Sequence, residues 1–186
     1  MTTPLGLRYV PNIISSENEN KLLEFIDSQT WNTSITRRTQ HYGYEYSYSS
    51  KHIDKSKYTS MPSILQELCI WLKDQDIFQT IPDQCIVNEY TRNQGISPHI
   101  DQPNNFGPVI ASISLGSNTI MDFTNNNLKF SQFLERGSLV VLKEDSRYKW
   151  KHGISSNVSY ISPETGLKII KPENYRRISL TFRTVI

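Results

Sequence analysis

The sequence predicts one α+β domain, and three observations support that fold class. The 186-residue chain is long enough for one sizeable core and short for two. Two segments before residue 80 carry apolar residues at helical spacing. After Pro82 the pattern changes to short apolar or alternating segments separated by turn residues, which is typical of strands. Helices first and strands afterwards favour α+β.

The chain begins with a short predicted strand and a helix. The stretch LRYVPNII is typical of a strand that Pro11 interrupts. Ser15 or Ser16 can then cap a helix, because a serine there accepts a hydrogen bond from the first turn. Apolar residues at helical spacing follow at Leu22, Leu23, Phe25 and Ile26.

A tyrosine-rich segment and a second helix complete the first part of the chain. Residues 37–58, RRTQHYGYEYSYSSKHIDKSKY, are aromatic, basic and alternating, which indicates exposed strands or a hairpin. Ser60 and Pro62 resemble the cap and first turn of a helix with the sequence SILQELCIWLKDQ. Its predicted buried stripe is Ile64, Leu65, Leu68 and either Trp71 or Leu72.

About seven strands are predicted in the second part of the chain. Their sequences are QCIVNEY, VIASISLG, TIMDFTN, LKFSQFL, GSLVVLK, YKWKHGI and RRISLTFRTVI. Residues 155–175 separate the last two of these segments and are predicted to be the longest loop or irregular insertion.

The composition predicts an intracellular globular protein. The formal net charge of +2 neither requires nor excludes a nucleic-acid partner. No apolar run approaches the roughly 20 residues of a membrane span. The first residues lack the charged and apolar regions of a secretory signal. Cys69 and Cys85 are not in a CxxC pair, so we expect reduced cysteines that pack in the core.

The segment YTRNQGISPHID, residues 90–101, ends in a candidate metal-binding pair. On an extended chain, His99 and Asp101 point the same way because they are two residues apart. His152, in WKHGI near the end of a later strand, supplies a third ligand. Two histidines and one carboxylate form the facial set that binds non-haem Fe(II) and leaves coordination positions open. The alternative is that these are ordinary polar side chains, because His-x-Asp alone is a weak signal.

The C-terminal segment RRISLTFR carries a second signal. Arg177 and Arg183 are six residues apart, so both lie on one side of a strand, and Ser179 shares that side. Two guanidinium groups on one face suit a dicarboxylate, because each can form a bidentate charge-assisted pair. The alternative is a charged edge strand with solvated arginines. Together with the metal set, a dicarboxylic co-substrate is the better interpretation.

These segments together resemble the AlkB family of Fe(II)- and 2-oxoglutarate-dependent dioxygenases. The resemblance rests on NEYTRNQGISPHID, the SLG of residues 114–116, SRYKWKHGI and RRISLTFR, and the matched pieces span residues 5–186. It implies a double-stranded β-helix (jelly-roll) core with an N-terminal α/β extension. We therefore expect one domain over residues 1–186, with the extension and a nucleotide-recognition lid in 1–80 and the jelly-roll core in 81–186.

The resemblance also implies cofactors and residue roles. The cofactors are Fe(II), the co-substrate 2-oxoglutarate and O2, and the implied reaction oxidises a C–H bond of the substrate while 2-oxoglutarate becomes succinate and CO2. The implied iron ligands are His99, Asp101 and His152. The implied co-substrate contacts are Asn88, Tyr90, Arg177, Ser179 and Arg183. The implied substrate contacts, in the lid, are Arg37, Arg38, Tyr42, Tyr44 and Tyr46.

The implied substrate is a modified nucleobase, which the enzyme demethylates or hydroxylates in RNA or single-stranded DNA. The lid tyrosines offer stacking surfaces, and an enzyme that acts on a base must take it out of the stack. Cations suited to a single strand are Arg37, Arg38, Lys51, Arg147, Lys149 and Lys151. Arg37 departs from the pattern, since some base-repair members have a stacking tryptophan there. The alternative for the tyrosines is cross-strand pairing on a hairpin.

Further functions also remain open at this point. RRTQHYGYEY, GISPHID and SRYKWKHGI look closest to the branch that hydroxylates a modified wobble uridine in tRNA. That branch normally carries an RNA-recognition domain and a methyltransferase domain, and neither is recognisable in these 186 residues. A protein-substrate dioxygenase and a non-catalytic nucleic-acid-binding module remain open as well. We expect a monomer in the cytoplasm or nucleus with no membrane partner.

Overall fold

The computed structural model describes residues 2–163 and 165–186, and these form three helices and three antiparallel sheets. The helices are α1 (Ser16–Ser28), α2 (Ser63–Asp74) and α3 (Glu144–Tyr148). The strands are β1 (Leu7–Val10), β2 (Thr39–Ser47), β3 (His52–Thr59), β4 (Gln84–Thr91), β5 (Ile96–His99), β6 (Phe106–Gly116), β7 (Thr119–Asn125), β8 (Leu128–Leu134), β9 (Leu139–Leu142), β10 (Lys151–Ile154), β11 (Ser159–Ile161), β12 (Lys168–Ile170) and β13 (Arg176–Val185).

Two sheets form the jelly-roll core and confirm the predicted α+β fold class. The larger sheet has seven strands in the order β1-β9-β6-β13-β4-β2-β3. The smaller sheet has four strands in the order β5-β10-β7-β8. Because β2 and β3 extend the larger sheet beyond β4, the segment before residue 80 contributes directly to the sheet that carries the C-terminal arginines.

The larger sheet is covered on both faces. On one face, α1 and α2 bury the first hydrophobic cluster, which includes Ile26, Leu72 and Leu180. On the other face, a second cluster joins the two sheets through residues such as Ile110 and Phe123. Since every β13 side chain from Arg177 to Arg183 is buried, its alternate residues are divided between the helix side and the space between the sheets.

The predicted helices are present, and one cap differs from the prediction. The Ser15 hydroxyl accepts a hydrogen bond from the Asn18 amide at 3.3 Å, as expected for an N-cap. At α2, Pro62 rather than Ser60 occupies the N-cap position, and among the described residues no side chain caps this helix. Proline fits there because its fixed φ and missing N–H cost nothing before the first turn. The fully buried stripe of α2 is Leu65, Cys69 and Leu72.

Each of the seven segments predicted as strands after Pro82 contains a strand, and the predicted hairpin is formed by β2 and β3. In YKWKHGI the strand covers only Lys151–Ile154, and Tyr148 belongs to α3. The prediction of exposed strands is wrong for the first half of β2, which is buried and pairs with β4. Gly43 ends the pairing of β2 with β4. Its φ is +76°, and a Cβ there would lie 1.8 Å from the Asp83 carbonyl oxygen.

Several details add to the sequence-based prediction. The helix α3 was not predicted, and the insertion at residues 155–175 contains the small β11–β12 sheet. Cys69 and Cys85 lie in the first hydrophobic cluster and have no exposed surface. None of the helices in the described part of the chain is long and apolar enough to cross a membrane.

Candidate metal centre and co-substrate cavity

The smaller sheet brings the three predicted metal ligands together. His99 ends β5, and His152 lies directly opposite it on the antiparallel neighbour β10. Their ring centroids are 4.4 Å apart. Asp101 follows β5 by two residues, and one ligand atom from each of the three side chains lies within 4.8 Å of the others. A local motif and a distant histidine therefore converge because β5 and β10 are paired.

The donor atoms in this cluster suit a divalent metal. Asp101 Oδ2 lies 3.8 Å from His152 Nε2, which is longer than a hydrogen bond, and it accepts no hydrogen bond from any described residue. His99 Nδ1 lies 2.9 Å from the Ser97 carbonyl oxygen, so a proton on Nδ1 leaves Nε2 free to bind a metal. Two imidazoles and one carboxylate are the donor set that non-haem Fe(II) uses.

The charges around Asp101 favour the protonation states that bind metal. Burial opposes ionisation of this carboxyl group, but the positive charge of Arg183 and the neighbouring histidines outweigh it and lower the pKa of Asp101. Burial lowers the pKa of His152, and the attraction of Asp101 only partly offsets that effect. At neutral pH the cluster therefore offers an ionised carboxylate and a neutral imidazole, the forms that coordinate metals.

A cavity of about 440 Å³ opens from this cluster into the space between the two sheets. All five residues predicted to bind the co-substrate line its wall on the larger sheet. These residues are Asn88, Tyr90, Arg177, Ser179 and Arg183. They are close together because β4 and β13 are paired in register, with Asn88 opposite Ser179 and Tyr90 opposite Arg177.

Arg183 lies at the end of the cavity that contains His99, Asp101 and His152. Its Nη2 donates a hydrogen bond to Asp101 Oδ1 at 2.9 Å, and its Nη1 donates to Gln84 Oε1 at 3.2 Å. The guanidinium carbon is 4.7 Å from the ring centroid of Phe106. This arginine therefore holds the carboxylate ligand and lines the cavity at the same time.

Arg177 lies on the same strand, six residues before Arg183. No carboxylate among the described residues forms a salt bridge with it. Its side chain is 1% exposed, and Nη2 donates to Ser114 Oγ at 2.9 Å. In the part of the chain that the structure describes, Nε and Nη1 have no hydrogen-bond partner. Burial lowers the pKa of Arg177, as expected for a cation far from water. A buried guanidinium with unpaired donors is costly, which makes Arg177 a candidate anion-binding group at this end of the cavity.

The mouth of the cavity is aromatic and basic. Tyr46, Tyr48, Arg37 and Lys51 line it, from the hairpin and the segment before it. Arg37 Nε donates to Asn88 Oδ1 at 3.1 Å, and its guanidinium carbon is 5.7 Å from the Tyr48 ring centroid. Arg37 thus connects the mouth to a predicted co-substrate contact.

Three of the residues predicted to contact the substrate lie elsewhere. Tyr42 is 7% exposed in the first hydrophobic cluster, and its hydroxyl donates to Gln40 Oε1 at 3.0 Å. Tyr44 forms an edge-on pair with Tyr58, with centroids 5.2 Å apart, so the cross-strand alternative describes it correctly. Arg38 forms an ion pair with Glu89 outside the cavity.

An irregular backbone at Gly43 explains why the tyrosines diverge. Residues two apart on a regular strand share a face, which would place Tyr42, Tyr44 and Tyr46 together. Gly43 interrupts this alternation in β2 with a φ of +76°, at the residue where the pairing with β4 ends. The pairing of β2 with β3 then shifts register after Tyr44, with residues 55–57 left unpaired on β3. Of the tyrosines in this segment, Tyr46 and Tyr48 line the cavity.

Sequence reasoning missed the residues that bind the two arginines predicted to contact the co-substrate. Gln84 is paired in register with Arg183, and Ser114 lies opposite Ser179 next to Arg177. The SLG motif that begins at Ser114 was recognisable in the sequence. That Ser114 binds Arg177 depends on the register between β6 and β13. Arg147, predicted as a cation suited to a single strand, is 2% exposed, and its guanidinium binds backbone carbonyl groups.

Comparisons with known proteins agree with this geometry. The profile of the 2OG-Fe(II) oxygenase superfamily matches residues 28–183. The chain is 39% identical over 165 residues to the tRNA (carboxymethyluridine(34)-5-O)-methyltransferase ALKBH8 of Macaca fascicularis, covering 82% of this chain and 24% of that protein. It is 35% identical over 184 residues to uncharacterized protein L905 of Acanthamoeba polyphaga mimivirus, covering 97% of this chain and 85% of that protein.

The fold also matches a solved structure. The structure of OsALKBH1 superposes with a TM-score of 0.71 and covers 99% of this chain and 98% of that one. The sequence identity is 18%, so this likeness concerns the fold. The chain spans about a quarter (24%) of the length of the macaque relative.

Proposed function

The chain belongs to the 2OG-Fe(II) oxygenase superfamily and, within it, to the AlkB family, and on that premise we propose that it oxidises a modified nucleobase in RNA or single-stranded DNA. One observation carries the proposal. The cluster of His99, Asp101 and His152 shares a single cavity with Arg177, a buried cation whose Nε and Nη1 have no partner among the described residues and can therefore bind an anion.

The proposed roles of the ligands follow from their positions. His99, Asp101 and His152 would hold Fe(II), and Arg183 would keep the Asp101 carboxylate ionised and oriented through its hydrogen bond. With 2-oxoglutarate and O2, bound Fe(II) supplies the oxidative chemistry that converts 2-oxoglutarate to succinate and CO2 and hydroxylates a substrate C–H bond. The protein supplies orientation and a cavity shielded from water.

The proposed orientation of 2-oxoglutarate follows from the two arginines. Arg183 is already bonded to the ligand Asp101, so it lies beside the end of the co-substrate that approaches the metal. Arg177 would pair with the distal carboxylate, because its Nε and Nη1 lack partners among the described residues. Asn88, Tyr90 and Ser179 line the wall between these ends and can donate hydrogen bonds.

The proposed substrate follows from the mouth of the cavity. A base must leave its stack to reach a buried metal, and Tyr46 and Tyr48 offer aromatic faces to receive it. Arg37 and Lys51 place two cations at the same opening, as binding of a single-stranded backbone requires. If the oxidised carbon belongs to an N-methyl group, the product releases formaldehyde and leaves a demethylated base.

A second candidate function is hydroxylation of a modified wobble uridine in tRNA. It is favoured by the macaque relative, whose name specifies carboxymethyluridine at position 34 of tRNA.

A single-stranded target, a monomeric enzyme and an intracellular site of action are parts of our proposal. The fully buried thiols of Cys69 and Cys85 are consistent with a reducing compartment.

The proposal is tested by incubating the protein in air with Fe(II), 2-oxoglutarate and a substrate pool of N-methylated single-stranded RNA and DNA and total tRNA. Mass spectrometry then quantifies succinate and every nucleoside. Loss of methyl groups from adenine or cytosine would identify a demethylase, and a gain of one oxygen on wobble uridine would identify a tRNA hydroxylase. Succinate without any nucleoside change would redirect the search to protein substrates, and no succinate would favour a non-catalytic binding module.

A further inference from the structure

Arg147 is a buried arginine whose side-chain hydrogen bonds all go to backbone carbonyl groups of residues 101–107. Its guanidinium carbon also lies 4.8 Å from the ring centroid of the neighbouring Tyr148. Its side chain lies on α3 and is 2% exposed. Nη1 donates to the Asp101 carbonyl oxygen at 2.7 Å, Nη2 to that of Phe106 at 3.1 Å, and Nε to that of Gly107 at 3.2 Å. Within residues 2–163 and 165–186, no carboxylate forms a salt bridge with it. A buried arginine is usually paired, so this arrangement calls for an explanation.

Residues 101–107, which Arg147 binds, comprise the loop that begins at Asp101 and the first two residues of β6. This segment connects three parts of the site. It starts at Asp101, a proposed metal ligand. The Asn105 side-chain amide donates to the Lys51 carbonyl oxygen at 2.9 Å, which attaches the loop to the tip of the β2–β3 hairpin. The Phe106 ring contacts Tyr46, with centroids 5.8 Å apart, and lies under the Arg183 guanidinium. Movement of this loop would therefore shift the ligand, the mouth and the co-substrate wall together.

The short helix α3, which carries Arg147, is itself fixed in place. Ser146 Oγ donates to the Lys143 carbonyl oxygen at 2.7 Å and accepts from the Lys143 amide at 3.1 Å, which closes the short helix α3. The Ser146 amide donates to the Leu5 carbonyl oxygen at 2.9 Å, which fixes α3 to the segment before β1. Arg147 is thus anchored to the sheet framework on one side and to the loop on the other.

We propose that Arg147 is a positioning residue that sets the Asp101 carboxylate for metal binding by holding the backbone of residues 101–107. The reason is geometric. Arg147 binds the backbone carbonyl group of Asp101, and the position of that backbone determines where the Asp101 carboxylate lies. Groups that orient a metal ligand from outside the coordination shell typically contribute about 10–100-fold to metal affinity. The proposal rests on the metal centre proposed above.

The test is titration of metal-free protein with Co(II), a spectroscopic substitute for Fe(II), followed by its visible absorption. Arg147→Met removes all three hydrogen bonds, and Arg147→Lys keeps the charge but cannot reach three carbonyl groups. Arg92→Met is the matched control, because Arg92 Nε also donates to a backbone carbonyl, that of Lys171 at 2.9 Å, and Arg92 does not line the cavity.

We expect roughly 10–100-fold weaker Co(II) binding and altered absorption bands in Arg147→Met, with Arg147→Lys intermediate and Arg92→Met equal to wild type. A merely structural role would lower the melting temperature but leave the affinity and the absorption bands of the folded protein unchanged. That result, in either Arg147 variant that circular dichroism shows to be folded, would overturn the proposal. If wild type itself binds no Co(II), the metal centre fails instead.

Discussion

Arg177→Met should separate co-substrate binding from stability. The substitution removes a guanidinium that is 1% exposed and whose Nε and Nη1 have no partner among the described residues. Truncating one partner of a buried, hydrogen-bonded charge pair costs about 2–5 kcal/mol, which corresponds to about 30-fold to several-thousand-fold weaker 2-oxoglutarate binding. The ligand-free protein should not be weakened, because each unsatisfied buried donor costs about 1–3 kcal/mol that the variant recovers.

The neighbouring residue provides a matched control with the opposite outcome. Arg176 Nε donates to Glu89 Oε1 at 2.6 Å, and its Nη1 donates to Asp27 Oδ2 at 2.9 Å, outside the cavity. Arg176→Met should therefore leave 2-oxoglutarate affinity unchanged. It should lower the free energy of unfolding by about 1–3 kcal/mol, because buried Glu89 loses one of its two arginine partners.

Calorimetric titration of 2-oxoglutarate into Co(II)-loaded protein measures the affinity, and thermal unfolding of the metal-free protein measures the stability. For a chain of this size, about 1 kcal/mol shifts the melting temperature by about 2–4 °C. The reasoning is refuted if Arg177→Met binds 2-oxoglutarate as wild type does. It is also refuted if Arg176→Met loses affinity to the same extent as Arg177→Met.

Three other experiments test separate parts of the site and the fold. His99→Ala should abolish Co(II) binding and succinate release but keep affinity for single-stranded RNA, which fluorescence anisotropy can measure; retained turnover would exclude His99 as a ligand. Tyr48→Ala should weaken single-strand binding by about 1–3 kcal/mol, whereas Tyr44→Ala should not, and equal losses would contradict the assigned mouth. Glu89→Gln should lower the free energy of unfolding by about 2–4 kcal/mol near neutral pH. Burial opposes ionisation of Glu89, but its two arginines lower its pKa in the folded protein, so its contribution is present above the ordinary value of 4.5 and lost as the pH falls through the folded value. Urea unfolding at several pH values should show wild type and Glu89→Gln converging in acid, and a constant difference would be evidence against the ion pairs.

The sequence was sufficient wherever a short pattern determines the side of a strand. His99 and Asp101 converge because they are two residues apart on an extended chain, and Arg177 and Arg183 share a face of β13 because they are six apart. Hydrophobic alternation likewise predicted the strands of both sheets, since each strand has one face against a core.

Features that depend on strand register or on irregular geometry were not predictable. Tyr42 and Tyr46 have the same parity, but Gly43, with its positive φ, lies between them on β2, and they pack in different clusters. Gln84 could not be recognised as a partner of Arg183 without the pairing of β4 with β13. Arg147 was misassigned because its acceptors are backbone carbonyl groups 40 or more residues away. Long-range backbone contacts of this kind leave no sequence pattern.

The central claim is that one cavity uses Fe(II) and 2-oxoglutarate to oxidise a nucleobase. It is tested most directly by the ratio of succinate formed to nucleobase oxidised, measured by mass spectrometry on the best substrate from the pool. The account predicts one succinate per oxidised base, with both products dependent on Fe(II) and 2-oxoglutarate and both lost in His99→Ala and Arg177→Met. Succinate formed at the same rate with and without nucleic acid, and with no altered base, would contradict it.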